Sequence, residues 1–191
     1  MNKRAVDRDR RSSGRSLRLF CALHPTASEA SFLLDQLQEL GSLPDHRLTP
    51  VDQVHMTALF IGEVAVRDLD EVKESVERAA IGVPPFQWQP VAIETLPVRG
   101  PVRTIAAMGP SGRSLDELHR RFSQRLARRS NRRAFIPHMT LARLKPPKSG
   151  FRIDHPVIAE PISFETVQLM QSRLLPTGAE HHTVLEAPLR G

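Results

Sequence analysis

The stretches Val54-His55-Met56-Thr57-Ala58-Leu59-Phe60-Ile61-Gly62 and Pro137-His138-Met139-Thr140-Leu141-Ala142-Arg143-Leu144 share the tripeptide His-Met-Thr, 83 positions apart. Each lies in an apolar run of β type. His-x-Thr triplets occur more often than random composition predicts, but His181-His182-Thr183 lacks the apolar run and reads as the edge of a C-terminal strand. On a strand, residues i and i+2 share a face. Each matched motif therefore presents an imidazole beside a hydroxyl while its Met packs on the other side. Two such strands meeting at a cleft would set two imidazoles across from one another.

Working outward, the runs around the two motifs divide the chain into two similar halves. Leu17 to Leu23 reads as a buried strand, and Ala30, Leu33, Leu34, Leu37 and Leu40 mark one face of a helix that stops at Gly41. His46 to Pro50 is a short connector or strand before the first motif run, Val54 to Gly62. Val66, Leu69, Val72, Val76 and Ala79 predict an amphipathic helix ending near Gly82. Residues 86–97 and 102–108 read as two strands of a hairpin turning at Arg99-Gly100-Pro101. A third helix begins at Ser114, with Leu115, Leu118, Phe122 and Leu126 on one face and Arg120, Arg121, Arg125, Arg128 and Arg129 largely elsewhere. After the second motif come a turn at residues 146–150, a strand over 162–174 and a last strand around 183–185. The alternation argues for an α+β or α/β domain of two lobes.

Composition narrows the class. The 191 residues are 40% hydrophobic and 25% charged, which is ordinary globular usage. Cys21 is the single cysteine, so neither an internal disulfide nor a thiolate zinc site can form, and a reduced, cytoplasmic setting is expected. No apolar run reaches the roughly 18 residues of a membrane span. Of the net charge of +6, residues 1–16 supply four units, with Lys3, Arg4, Arg8, Arg10, Arg11 and Arg15 against Asp7 and Asp9. This tail has too few apolar residues to offset the entropy of ordering and is expected to be disordered, with one domain over 17–191.

The paired motifs suit acid/base chemistry. Near neutral pH one imidazole can accept a proton while another donates one, each contributing about 10² to 10⁴ in rate. Thr57 and Thr140 can hydrogen-bond phosphate oxygens, and Arg143 adds a forked cation. Strand parity turns Arg143 away from His138, so it must reach the site from a strand end or a bulge. No Asp or Glu accompanies either motif at metal-ligand spacing, and no metal or cofactor is implied.

Extended to Val54–Val64 and Pro137–Arg143, the two stretches resemble the signature motifs of the 2H phosphoesterase superfamily. The most similar subgroup is the bacterial and archaeal RNA 2′,3′-cyclic phosphodiesterases, long called 2′-5′ RNA ligases. Leu17 to Leu23, Gly62-Glu63-Val64, and Ser172-Arg173-Leu174 with Pro176 and Gly178 extend the similarity over about residues 17–187. The resemblance implies an α+β fold of two pseudo-symmetric lobes of antiparallel strands and helices flanking a central cleft. It implies hydrolysis of a 2′,3′-cyclic phosphate, on an RNA end or a cyclic nucleotide, to a 2′-phosphate; a monomer is expected. His55 would be the acid, His138 the base, and Thr57, Thr140 and Arg143 the phosphate ligands. Arg47 stands where some relatives carry an arginine. The chain departs from the family at Ile105-Ala106-Ala107, where an aromatic residue is common, and at His182, where a tyrosine is common; both bear on base stacking. Phe20, Phe60 and Phe135 remain as aromatic groups. Ligation by attack of a 5′-hydroxyl at the same site, and RNA binding without catalysis, are the alternatives.

Overall fold

A computed structural model describes residues 15–127, 134–175 and 178–191. The expected tail up to residue 14, and Arg128 and Arg129 of the expected basic helix face, lie outside them.

The first expected strand forms as β1 (Ser16–Leu23), which alternates Leu19, Cys21 and Leu23 into the main core with Phe20 and Ala22 on the other face. Helix α1 (Ala27–Glu39) starts at a capping box: the Thr26 hydroxyl accepts from the Glu29 amide, and the Glu29 carboxylate accepts from the Thr26 amide at 2.7 Å. The short β2 (His46–Leu48) and the first motif strand, β3 (Met56–Ala65), follow. Helix α2 (Leu69–Ala80) buries Val72, Val76, Ala79 and Ala80, and α3 (Arg113–Leu126) buries Leu115, Leu118, Phe122 and Leu126, the faces that their spacing predicts. The second motif strand is β7 (His138–Lys148).

Two expected strands are broken. Residues 86–97 divide into β4 (Phe86–Trp88) and β5 (Ala92–Leu96), because Pro90 has no amide to donate and the Gln89 side chain turns to the Ala159 carbonyl. Residues 162–174 divide into β9 (Ile162–Phe164) and β10 (Thr166–Leu175). β4 and β9 pair with each other in a separate two-stranded sheet. The expected turn at 146–150 begins later, since β7 runs through both prolines to Lys148 and pairs there with β6 (Val102–Met108). β5 and β6 form the expected hairpin, and β5 also takes up β8 (Asp154–Pro156), which had no clear signal in sequence. The last strand, β11 (Gly178–Pro188), is longer than its apolar centre suggests.

The main sheet runs β11-β10-β1-β3-β7-β6-β5-β8, with β2 against β7. β3 and β7 meet at its middle, antiparallel, with Met56 opposite Met139. On either side the order is matched: β1-α1-β3 on one flank corresponds to β6-α3-β7 on the other. This is the two-lobed α+β arrangement, with the lobes joined where both motifs begin. Met56 and Met139 are fully buried in the core, which leaves His55, Thr57, His138 and Thr140 on the opposite face.

Candidate active site

Both motif strands carry a β-bulge three residues beyond the histidine. On β3, Cys21 pairs with Leu59 and Ala22 with Thr57, so Ala58 is the extra residue. On β7, Ile105 pairs with Ala142 and Ala106 with Thr140, so Leu141 is extra. A bulge reverses the inside-outside parity of the strand. Ala58 and Leu59 are accordingly both buried, as are Leu141 and Ala142. Beyond the bulge, Arg143 returns to the face of His138 and Thr140 and lines the same cleft. This resolves the parity conflict. Phe60 occupies the equivalent place beyond His55 and is half exposed.

The two histidines are oriented in the same way. His55 Nδ1 lies 2.8 Å from the Gln53 carbonyl, and His138 Nδ1 2.8 Å from the Ile136 carbonyl. A carbonyl oxygen only accepts, so Nδ1 carries the proton in both rings and Nε2 is left for the reaction space. Each imidazole is fixed by the backbone two residues before it and, among the described residues, by no carboxylate.

His55, Thr57, His138, Thr140, Arg143 and Arg47 all line one cleft of about 230 Å³. The structure adds Thr49, Gln53, Lys145 and His181 to its walls. Lys145 follows from Arg143 by strand alternation, but only once the bulge is known. His181 corrects the expectation of a simple strand edge: β11 is the sheet's edge strand, yet this side chain turns inward. His182, the residue in the expected tyrosine position, is exposed, 4.0 Å from the Glu180 carboxylate, and does not line the cleft.

Surroundings distinguish the two histidines. His55 packs against Phe20 at 5.2 Å between ring centroids, His181 at 5.4 Å and His24 at 5.5 Å. Burial pushes its pKa down to about 4, with the positive potential of His24, His181 and Arg143 acting in the same direction against the raising effect of the Gln53 carbonyl. Burial likewise lowers His24 and His181. Arg47, Arg143 and Lys145 line the cleft and, among the described residues, no carboxylate does. The site suits a phosphate-sized anion beside two imidazole nitrogens.

Of the aromatic groups, Phe20 is buried beneath His55 and His181. Phe60 lies parallel to it at 6.2 Å, with the Arg18 guanidinium 4.8 Å over its ring. Phe135 stacks on His119, away from the cleft. Among the described residues no three His, Cys, Asp or Glu side chains are grouped to hold a metal ion, and no helix is long and apolar enough to cross a membrane.

Known proteins place this architecture. The profile of the 2′-5′ RNA ligase superfamily matches residues 25–168. The chain belongs to that superfamily, within the 2H phosphoesterases. Escherichia coli LigT in its apo form superposes with a TM-score of 0.78 at 21% identity, covering 92% of this chain and 99% of LigT. LigT complexed with 3′-AMP gives 0.77 at 20%, covering 93% and 100%. A protein from Thermus thermophilus gives 0.74 at 24%, covering 92% and 99%. At these identities the likeness is one of fold. No curated protein sequence matches the chain.

Proposed function

We propose that the chain is a phosphodiesterase that opens a 2′,3′-cyclic phosphate to a 2′-phosphomonoester. The observation that carries the reading is the pair of histidines, each with Nδ1 tied to the carbonyl two residues before it, lining one cationic cleft with Thr57, Thr140 and Arg143. His138 Nε2 takes a proton from water as the water oxygen bonds to phosphorus. The P–O3′ bond breaks, and the proton on His55 Nε2 passes to the departing O3′. The P–O2′ bond is kept, which leaves a 2′-phosphate. Thr57, Thr140, Arg143 and Lys145 donate to the phosphoryl oxygens as charge gathers on them. Proton exchange with water then restores both rings.

His55, its pKa pushed down to about 4 by burial, is neutral at pH 7. Its service as the acid therefore requires a proton taken up with the anionic substrate, whose charge opposes that of Arg143 and the neighbouring imidazoles. The ligands of the LigT complexes, 3′-AMP and phosphate among them, support a nucleotide or phosphate occupant. A 2′,3′-cyclic end on RNA is the substrate we favour.

The test offers a cyclic-phosphate-ended RNA together with a 5′-hydroxyl acceptor RNA. Hydrolysed 2′-phosphate ends are expected to exceed joined product. Dominant joining would identify a ligase, and tight RNA binding without either product would identify a binding module.

A further inference from the structure

We infer that His119, on α3, is a positioning residue for the cleft: its imidazole holds the β3 bulge that aims Thr57 and Phe60. The inference rests on reading the cleft as catalytic. The two bulges are equivalent, at Ala58 and Leu141. A bulge takes its extra residue out of the regular ladder, so that residue's carbonyl needs a donor from elsewhere. For Leu141 the donor is the Thr49 backbone amide, 2.8 Å away. For Ala58 it is the Nδ1–H of His119, at 2.7 Å. A side chain thus does in one lobe what the main chain does in the other.

The rest of the ring is also engaged. With the proton on Nδ1, Nε2 is an acceptor, and Ser123 Oγ lies 3.5 Å from it. One face of the imidazole stacks on Phe135, with centroids 4.3 Å apart and planes at 11°. Phe135 stands three residues before His138, so a single half-buried side chain links the bulge of the first motif to the lead-in of the second. His119 does not line the cleft, and its influence must pass through the strands it holds.

Two variants separate positioning from packing. His119→Asn keeps an amide N–H where Nδ1 stood but loses the ring, whereas His119→Phe keeps a ring against Phe135 and loses the donor. The kcat and KM for a nucleoside 2′,3′-cyclic phosphate are measured alongside the thermal midpoint, with rates referred to folded protein. The expected result is a kcat roughly tenfold to a hundredfold lower in the Phe variant, as displacement of reacting groups produces, and most of the wild-type kcat retained in the Asn variant. A Phe variant at wild-type kcat, or an Asn variant no better than Phe, overturns the inference. If the wild-type protein itself turns over no cyclic phosphate, the catalytic reading falls separately. Affinity for inorganic phosphate across the same three proteins then decides, with the same order expected and an equal affinity in all three overturning it.

Discussion

His55 and His138 make the same Nδ1 contact, yet Phe20, His24 and His181 enclose only the first. Its depressed pKa has two measurable consequences. Binding of a nucleoside 2′-phosphate at pH 7 is expected to draw protons from the buffer, so that the calorimetric enthalpy varies with the buffer's ionisation enthalpy; His55→Gln should abolish most of that dependence. Binding without proton uptake would remove His55 as the acid. The second consequence concerns stability. A histidine whose folded pKa, about 4, lies below the usual 6.5 binds fewer protons folded than unfolded between those values. Its contribution is complete above about pH 6.5 and is lost as pH falls toward 4. His24 and His181 shift in the same direction. The wild-type melting temperature should therefore fall more steeply over this window than that of His55→Gln. At Arg143, replacement by lysine keeps the charge but removes the fork, and kcat/KM should drop about tenfold or more, as loss of a charged hydrogen bond does.

At the scale of elements, the bulges decide which side chains reach the cleft. β3 contains a second irregularity, where Leu19 pairs with Gly62 and Phe20 with Phe60, leaving Ile61 extra. Gly62 has φ +91°, and a Cβ there would meet no neighbouring atom within 4 Å, so the obstacle to substitution is backbone strain alone. Gly62→Ala should cost about 1–2 kcal/mol and lower the melting temperature by about 2–4 °C for each kcal/mol. Thr26→Ala, which removes the capping hydroxyl of α1, should cost about 1 kcal/mol in the same assay. Much of this level was legible in sequence: the helical faces of Leu33, Val76 and Phe122, the β5–β6 hairpin and the inward Met56 and Met139 all follow from spacing. The bulges were not, because a run such as Leu141-Ala142 is apolar whether or not it contains an extra residue. Lys145 was hidden with them. His119 was illegible for another reason: it acts through a contact with a distant segment, at Ala58, and nothing local marks it. His181 was marked by its His-x-Thr triplet, but its place at a strand edge hid the inward turn of the side chain.

At the scale of the molecule, the paired lobes put unlike environments around like motifs. The side bounded by β1 and β11 supplies aromatic and imidazole groups, and the side bounded by β2 and β7 supplies Arg47, Arg143 and Lys145. Of the net charge of +6, four units lie in residues 1–16, a segment that the proposed chemistry does not use, whereas the cleft draws its positive charge from Arg47, Arg143 and Lys145. Removal of residues 1–14, short of Ser16 in β1, should leave turnover of a cyclic mononucleotide unchanged. The central proposal is that two histidines, one from each lobe, open a cyclic phosphate by acid/base catalysis that needs no metal ion. It is tested most directly by incubating a 2′,3′-cyclic-phosphate-ended RNA in EDTA with wild-type, His55→Ala and His138→Ala proteins and identifying the product ends. The account predicts 2′-phosphate from the wild type and almost none from either variant. A 3′-phosphate product, or undiminished turnover in either variant, would contradict it.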